Sequence, residues 1–235
     1  MVRQGSASTL ASQYREAIRR DITIGNLRPG EHLKPAALAT QYDTSTTVIR
    51  DSLAKLASEK LVVARPNQGY FVLSLALGEL EDLTRVRVHC DSLALELAID
   101  RGDIAWETTV MTKHHILSRT TRRSVDDPNH TTEAWSSAHR EFHLALIEAC
   151  GVPLLLDVAA ATFDSTELYR RWAAPSAAAG NRSIDVEHAE IMQAALARET
   201  AKAIGLLREH YERSLHIILD SGLDLGGMSH QDGGN

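Results

Sequence analysis

The stretch Asp43–Leu73, DTSTTVIRDSLAKLASEKLVVARPNQGYFVL, decides the reading of the fold. It opens on the turn-forming Asp43-Thr44-Ser45, and Ser45 suits an N-cap because its hydroxyl can accept a free amide proton of the first helical turn. Ile49, Leu53 and Leu56 follow at spacings of four and three, which predicts a helix to about Lys60 with these side chains inward. Its first outward positions are Thr46, Thr47 and Arg50. Leu61–Arg65 and Tyr70–Leu73 are β-prone runs on either side of Pro66-Asn67-Gln68-Gly69, a hairpin signal. Upstream, Leu10, Tyr14, Ile18 and Ile22 repeat every four residues and predict a first helix over Thr9–Ile24. Gly25 stops it, Leu27-Arg28-Pro29-Gly30 reads as a tight turn, and Pro35–Gln41 as a short second helix with Pro35 in its first turn. Helix, helix, helix, hairpin is the order of a winged helix-turn-helix. Such a module lays the start of its third helix in the major groove of DNA and its hairpin on the neighbouring backbone or minor groove. The expected DNA contacts are Ser45, Thr46, Thr47 and Arg50 at the helix start, Arg28 and Lys34 before it, and Gln68 and Gly69 at the wing tip. A small α+β domain without a nucleic-acid partner is the alternative.

The charge distribution agrees with the first reading. Residues 1–75 carry ten Lys/Arg against six Asp/Glu, a net +4, while residues 76–235 carry fifteen against twenty-five, a net −10. A locally basic module favours the phosphate backbone whatever the total charge. No apolar run approaches the roughly eighteen residues that span a bilayer, and the N-terminus lacks the apolar core of a signal peptide. A cytoplasmic location is expected, with Cys90 and Cys150 as two buried thiols rather than a disulfide.

From about Leu77 the β signals stop, and Ser74–Gly78 is the expected joint. The predicted layout is a DNA-binding domain over 1–75, an all-α antiparallel helical bundle over 79–222 and a flexible tail over 223–235. The chain is thus expected to be mostly α. Six helical stretches are expected, separated at Gly102-Asp103, Asp126–Pro128, Gly151–Pro153, Pro175–Gly180 and Arg198–Thr200. On the first, Leu83, Val86, Cys90, Leu93 and Leu97 form the predicted apolar stripe. On the third, Trp135, Ala138, Phe142, Ala145 and Ala149 form another, with His139 and His143 at its edge. His188 and His210 fall on later stripes. An i, i+4 histidine pair joined by two more imidazoles from other helices admits two readings from spacing alone, a metal site or hydrogen-bonded core histidines. Neither a nucleophile–base pair nor a Gly-rich phosphate loop is present, so an enzyme is not expected. A metal-dependent bundle enzyme and a metal-free regulator remain the competing readings.

Three motifs at the right spacing carry a resemblance. Leu27–Leu33, LRPGEHL, is similar to the "lxPGxxL" turn of GntR-family bacterial transcription regulators; Val48–Leu53, VIRDSL, is similar to their "PVREAL" recognition helix; Gly69–Val72, GYFV, is similar to their "rGxxV" wing. Where that family often has Ser-Arg-Thr-Pro, this chain has Ser45-Thr46-Thr47-Val48, so Thr46 replaces a base-reading arginine and only Arg50 carries over directly. The second half resembles the helical effector domain of the FadR-type branch, the FCD domain, which typically carries Asp-x-x-x-His on one helix and one histidine on each of two later helices. His143, His188 and His210 match those histidines, and His139 stands at the aspartate. The resemblance thus implies a divalent metal held by four nitrogens, a set that leans to Zn or Ni over harder cations. It further implies a homodimeric repressor of a double-stranded DNA operator, released by a small carboxylate effector. Arg87 matches the family's arginine, with Asp91 for its glutamate, and Arg171 and Trp172, beside Arg170, form a second effector-binding set. Trp135, His139, Phe142-His143, Cys150 and Arg171-Trp172 together are similar to a smaller branch of carbon-starvation regulators that respond to dicarboxylates such as glutarate.

Overall fold

A computed structural model describes residues 4–74 and 77–223. The chain divides into two compact units, the first ending at Leu77 and the second running from Gly78 to Leu223. The expected tail lies outside the described residues, apart from Leu223, as do residues 75 and 76 of the expected joint.

The first unit contains α1 (Gln4–Thr23), β1 (His32–Leu33), α2 (Pro35–Gln41), α3 (Thr46–Ser58), β2 (Val62–Arg65) and β3 (Gly69–Val72). Ser45 caps α3, its hydroxyl accepting from the Val48 amide at 3.3 Å. Ile49, Leu53 and Leu56 are fully buried and meet Ile18 and Ile22 of α1, so the three helices share one core with Leu33, Leu38, Val62 and Val72. The strand β1 is a departure from the sequence reading. Two residues cannot show an alternation, and β1 exists only because β3 pairs with it, giving an antiparallel sheet in the order β1-β3-β2. The side chain of Leu10 is outside the description.

The second unit contains α4 (Leu77–Arg101), α5 (Ile104–Arg119), α6 (Glu133–Ile147), a 3₁₀ turn (Glu148–Cys150), α7 (Pro153–Ala173), α8 (Ala177–Gly180), α9 (Ile184–Leu196) and α10 (Thr200–Asp220). The four-residue α8 falls inside an expected break. Trp106, Val110, Phe142, Ala145, Leu146, Ile191, Ala195 and Leu207 build the core, and the Trp106 indole N–H donates to the Ala145 carbonyl at 3.0 Å.

The expected stripe on α4 is corrected. Val86 and Leu93 are each 48% exposed, and Leu83, Cys90 and Leu97 are half-buried. The inward row is instead Leu80, Thr84, Arg87, Val88, Asp91, Leu95 and Ala98. Arg87 and Asp91 face the core because they bond there: Arg87 to Thr166 of α7, and Asp91 to Tyr211 of α10. α4 carries apolar residues on both sides, and polar contacts that an apolar pattern does not show decide which side faces inward. Cys150 is buried as expected, but Cys90, on the outer row, is only half-buried.

Candidate metal centre

Three helices bring four imidazoles together. The Thr132 hydroxyl caps α6 by accepting from the Trp135 amide at 3.2 Å, and from there the four-residue spacing stacks Trp135, His139 and His143 on one face. The second helical turn of α9 supplies His188, and α10 supplies His210. Their exposures are 2% for His139, 5% for His143, 0% for His188 and 3% for His210. One ring nitrogen from each lies within 4.8 Å of the others. Nε2 of His139 and Nε2 of His143 are 3.0 Å apart.

The proton positions around the cluster favour lone pairs pointing inward. The Glu187 carboxylate lies 2.8 Å from His210 Nδ1, which fixes the proton there and leaves Nε2 free. Tyr211 donates its hydroxyl to Asp91 at 2.8 Å, so its oxygen can accept from His143 Nδ1 at 3.4 Å. Both nitrogens of His188 and Nδ1 of His139 are buried with no hydrogen-bond partner. Burial lowers the pKa of all four rings, and neighbouring imidazoles and arginines lower it further for His139, His143 and His188. His210 is lowered by burial to about 4, against the opposing pull of Glu187. The rings are therefore neutral at pH 7, the form that ligates metal.

The donor set fits a divalent ion. An unpartnered buried polar atom costs about 1–3 kcal/mol, and His188 has two. A cation takes up a lone pair that no protein group can satisfy. Zinc–nitrogen bonds of about 2.0–2.1 Å in a tetrahedron place ligand atoms roughly 3.4 Å apart. The span of up to 4.8 Å thus needs only modest ring movements to close.

A narrow cleft opens beside the cluster, with His139 in its wall. Four arginines line it: Arg122, Arg170, Arg171 and Arg182. Trp135 stacks on His139 at 4.6 Å and 18°, and the Arg122 guanidinium sits 5.3 Å from the Trp135 ring. Ile184, Ile217, Ile218 and several alanines form an apolar side. Arg171 is paired with Glu133 at 2.5 Å and Glu167 at 3.0 Å, and Arg182 with Glu187 at 2.5 Å. Arg122 makes no ion pair among the described residues, and Nε of both Arg122 and Arg170 is buried without a partner. Burial pulls Arg170 down to about 10, so it stays charged. Glu167 also lines the wall and pairs with Arg170 at 2.7 Å, so Arg122 carries the cleft's unpaired charge among the described residues, and its free donors suit an anion.

Of the residues expected to bind effector, Arg171 lines this cleft, whereas Arg87 and Trp172 are not part of its wall. Arg87 is 5% exposed, bonds Asp91 and Thr166, and lies 4.0 Å from the Tyr211 ring and 4.8 Å from that of Phe163. It stands behind the cluster, reaching His143 through Tyr211. Trp172 packs edge-on against Tyr169 at 5.2 Å. Sequence reasoning missed Arg122, Glu167, Arg182 and Glu187. Only Glu187 left a signal, as the carboxylate next to His188. In the first unit, Ser45, Thr46, Thr47 and Arg50 are exposed at the start of α3, as are Arg28, Lys34 and Gln68, while Gly69 is half-buried.

A winged helix-turn-helix joined to a helical bundle with a buried histidine cluster and a cationic cleft defines a DNA-binding regulator with a ligand-binding domain. The chain belongs to the GntR family. The model "Bacterial regulatory proteins, gntR family" matches residues 10–72 and "FCD domain" matches residues 82–213. It is a transcription regulator, and members of this family are not enzymes. The chain is 31% identical to the uncharacterized HTH-type transcriptional regulator BphR of Paraburkholderia xenovorans (strain LB400), over 88% of this chain and 84% of that protein. It is also 31% identical to the HTH-type transcriptional repressor GlaR of Escherichia coli (strain K12), over 86% of this chain and 92% of that one. Among solved structures, E. coli McbR/YncC shares the fold with a TM-score of 0.63 at 19% identity, covering 90% of this chain and 97% of the other. Among the described residues, no helix is long and apolar enough to cross a membrane.

Proposed function

We propose that the protein is a cytoplasmic, homodimeric repressor whose grip on its operator is released by a small carboxylate bound beside a divalent metal ion. His139, His143, His188 and His210 would hold the ion, zinc or nickel by the softness of four imidazoles. When bound, the ion would supply a Lewis-acidic point of attachment for the carboxylate. Arg122, Arg170 and Arg171 would hold the rest of the anion, and a dicarboxylate would use two such contacts. Residues 1–75 would read DNA through Ser45, Thr46, Thr47 and Arg50, with Arg28, Lys34, Gln68 and Gly69 on the flanking backbone. The observation that carries the reading is His188, fully buried, with neither nitrogen partnered, inside a cluster on the wall of an arginine-lined cleft.

The homodimer is supported by the outward row of α4. Val86 and Leu93, flanked by half-buried Leu83 and Cys90, leave apolar surface that a second copy would cover. Two copies present two recognition helices to a palindromic site. Effector must bind one arrangement of the two DNA-binding units better than another, otherwise it shifts nothing.

Gel-shift titration against the DNA upstream of the protein's own gene tests this. Binding at about 0.1 M salt that is relieved by a carboxylate found in a thermal-shift screen is the expected result. No shift at any lower salt would overturn DNA binding, and relief by no carboxylate would overturn the effector.

A further inference from the structure

The outer face of the wing carries Phe71, His32 and Arg65, three residues given no role above. Along β3, Val72 points into the core, so Gly69 and Phe71 point to the opposite, solvent face of the sheet. The register sets His32 of β1 and Val63 of β2 opposite Phe71, and Arg65 of β2 opposite Gly69. All therefore share the solvent face. The His32 ring stacks on Phe71 with centroids 4.7 Å apart and planes 16° apart. The Arg65 guanidinium carbon lies 4.5 Å from the Phe71 centroid. A Cβ at Gly69 would meet His32 Nε2 at 3.1 Å, and the residue holds φ +94°, so glycine keeps the ring's place open. His32 and Arg65 thus close on Phe71 from the strands on either side.

Arg65 is exposed and makes no ion pair among the described residues. A guanidinium over an aromatic ring makes its contact through the cation and can keep N–H donors free for a second partner. The residue also sits at the last position before the wing tip, where its carbonyl accepts from the Gln68 amide at 3.1 Å. An unneutralised cation seated over a ring with its donors exposed, in the basic first unit of the chain, matches a phosphate. We propose that Arg65, positioned by Phe71 and His32, is a contact of the wing with the DNA phosphate backbone. The proposal rests on DNA binding by this unit and adds a residue that sequence reasoning did not select.

Fluorescence anisotropy of the full chain on a labelled 30-bp duplex of arbitrary sequence, from 0.05 to 0.3 M KCl, tests it. One phosphate contact contributes about 0.9 to the slope of log K against log salt. Arg65→Ala should flatten the slope by that amount, which is about eightfold in affinity at 0.1 M and about threefold at 0.3 M, alike on unrelated sequences. Phe71→Leu keeps the charge but removes the platform, and should weaken binding while leaving the slope near that of the wild type. Wild-type slope and affinity in Arg65→Ala would overturn the proposal, as would a loss confined to certain sequences, which would place Arg65 on base edges. Should Arg65→Ala melt early, Arg65→Gln gives the same readout. A wild-type chain that binds no duplex would fail the DNA-binding reading instead.

Discussion

Replacing Glu187 by Gln should separate the stability of the bundle from its hold on metal. The Glu187 carboxylate accepts from Arg182 at 2.9 and 2.5 Å, from His210 Nδ1 at 2.8 Å and from Arg213 at 2.6 Å. Burial opposes its charge, but Arg182 and His210 outweigh that and hold it well below the usual carboxylate range. Glutamine keeps the shape and loses the charge, and its single carbonyl oxygen cannot serve both His210 and the Arg182 fork that the two carboxylate oxygens satisfy. Two consequences follow. Arg182, whose side chain is 7% exposed, loses its carboxylate, and the cost of about 3–5 kcal/mol for breaking a fully buried pair is an upper bound for this half-buried one. Its remaining bonds to Ser214 at 2.9 Å and the His210 carbonyl at 3.0 Å push the loss toward the lower end of that range. Separately, His210 exchanges the carboxylate that sets its tautomer for, at most, a neutral oxygen for which Arg182 competes, a change worth up to about 10–100-fold in metal affinity. Urea unfolding of chelated protein reads the first, and competition with a chelator at temperatures where the variant is folded reads the second. A folded variant with unchanged metal affinity would refute the idea that Glu187 orients His210.

Acid should destabilise the metal-free bundle in a defined window. His210 titrates at about 4 in the folded chain against 6.5 unfolded. Between those values the unfolded chain binds the proton and the folded chain does not, so stability is complete above about pH 6.5 and falls as the pH drops toward 4. That difference, at about 1.4 kcal/mol per pH unit, is about 3 kcal/mol from His210 alone, and His139, His143 and His188 shift in the same direction. A flat urea midpoint between pH 7 and 4.5 in chelated protein would contradict this. Exchanging His139 for Asp adds an anionic oxygen ligand and should move the preference from Ni or Zn toward Mn by at least about tenfold, read as the ratio of dissociation constants; an unchanged ratio would mean that His139 is not a ligand. Val86→Asp with Leu93→Asp puts charge on the outer face of α4 and should yield monomers by sedimentation whose helical content matches that of the wild type. A dimer that persists would place the interface elsewhere.

The elements with dense local signals were legible. Ile49, Leu53 and Leu56 marked α3, Pro66–Gly69 marked the wing, and the four-residue spacing of His139 and His143 marked the cluster, because each depends on neighbours in sequence. What escaped depends on distant partners. The strand β1 is two residues long and takes its form from β3. The inner face of α4 was misread because Arg87 and Asp91 are drawn inward by Thr166 and Tyr211, residues 79 and 120 positions away. Arg122 and Arg182 reach the cleft from connections between helices, where no periodicity announces them. Glu187 and His210 belong to different helices, so their pairing becomes visible only in three dimensions.

The most direct test is the metal content of protein purified without a histidine tag. The four-histidine centre predicts about one divalent ion per chain by elemental analysis, lost in His188→Ala. A wild-type chain that takes up neither zinc nor nickel after incubation with either would contradict it.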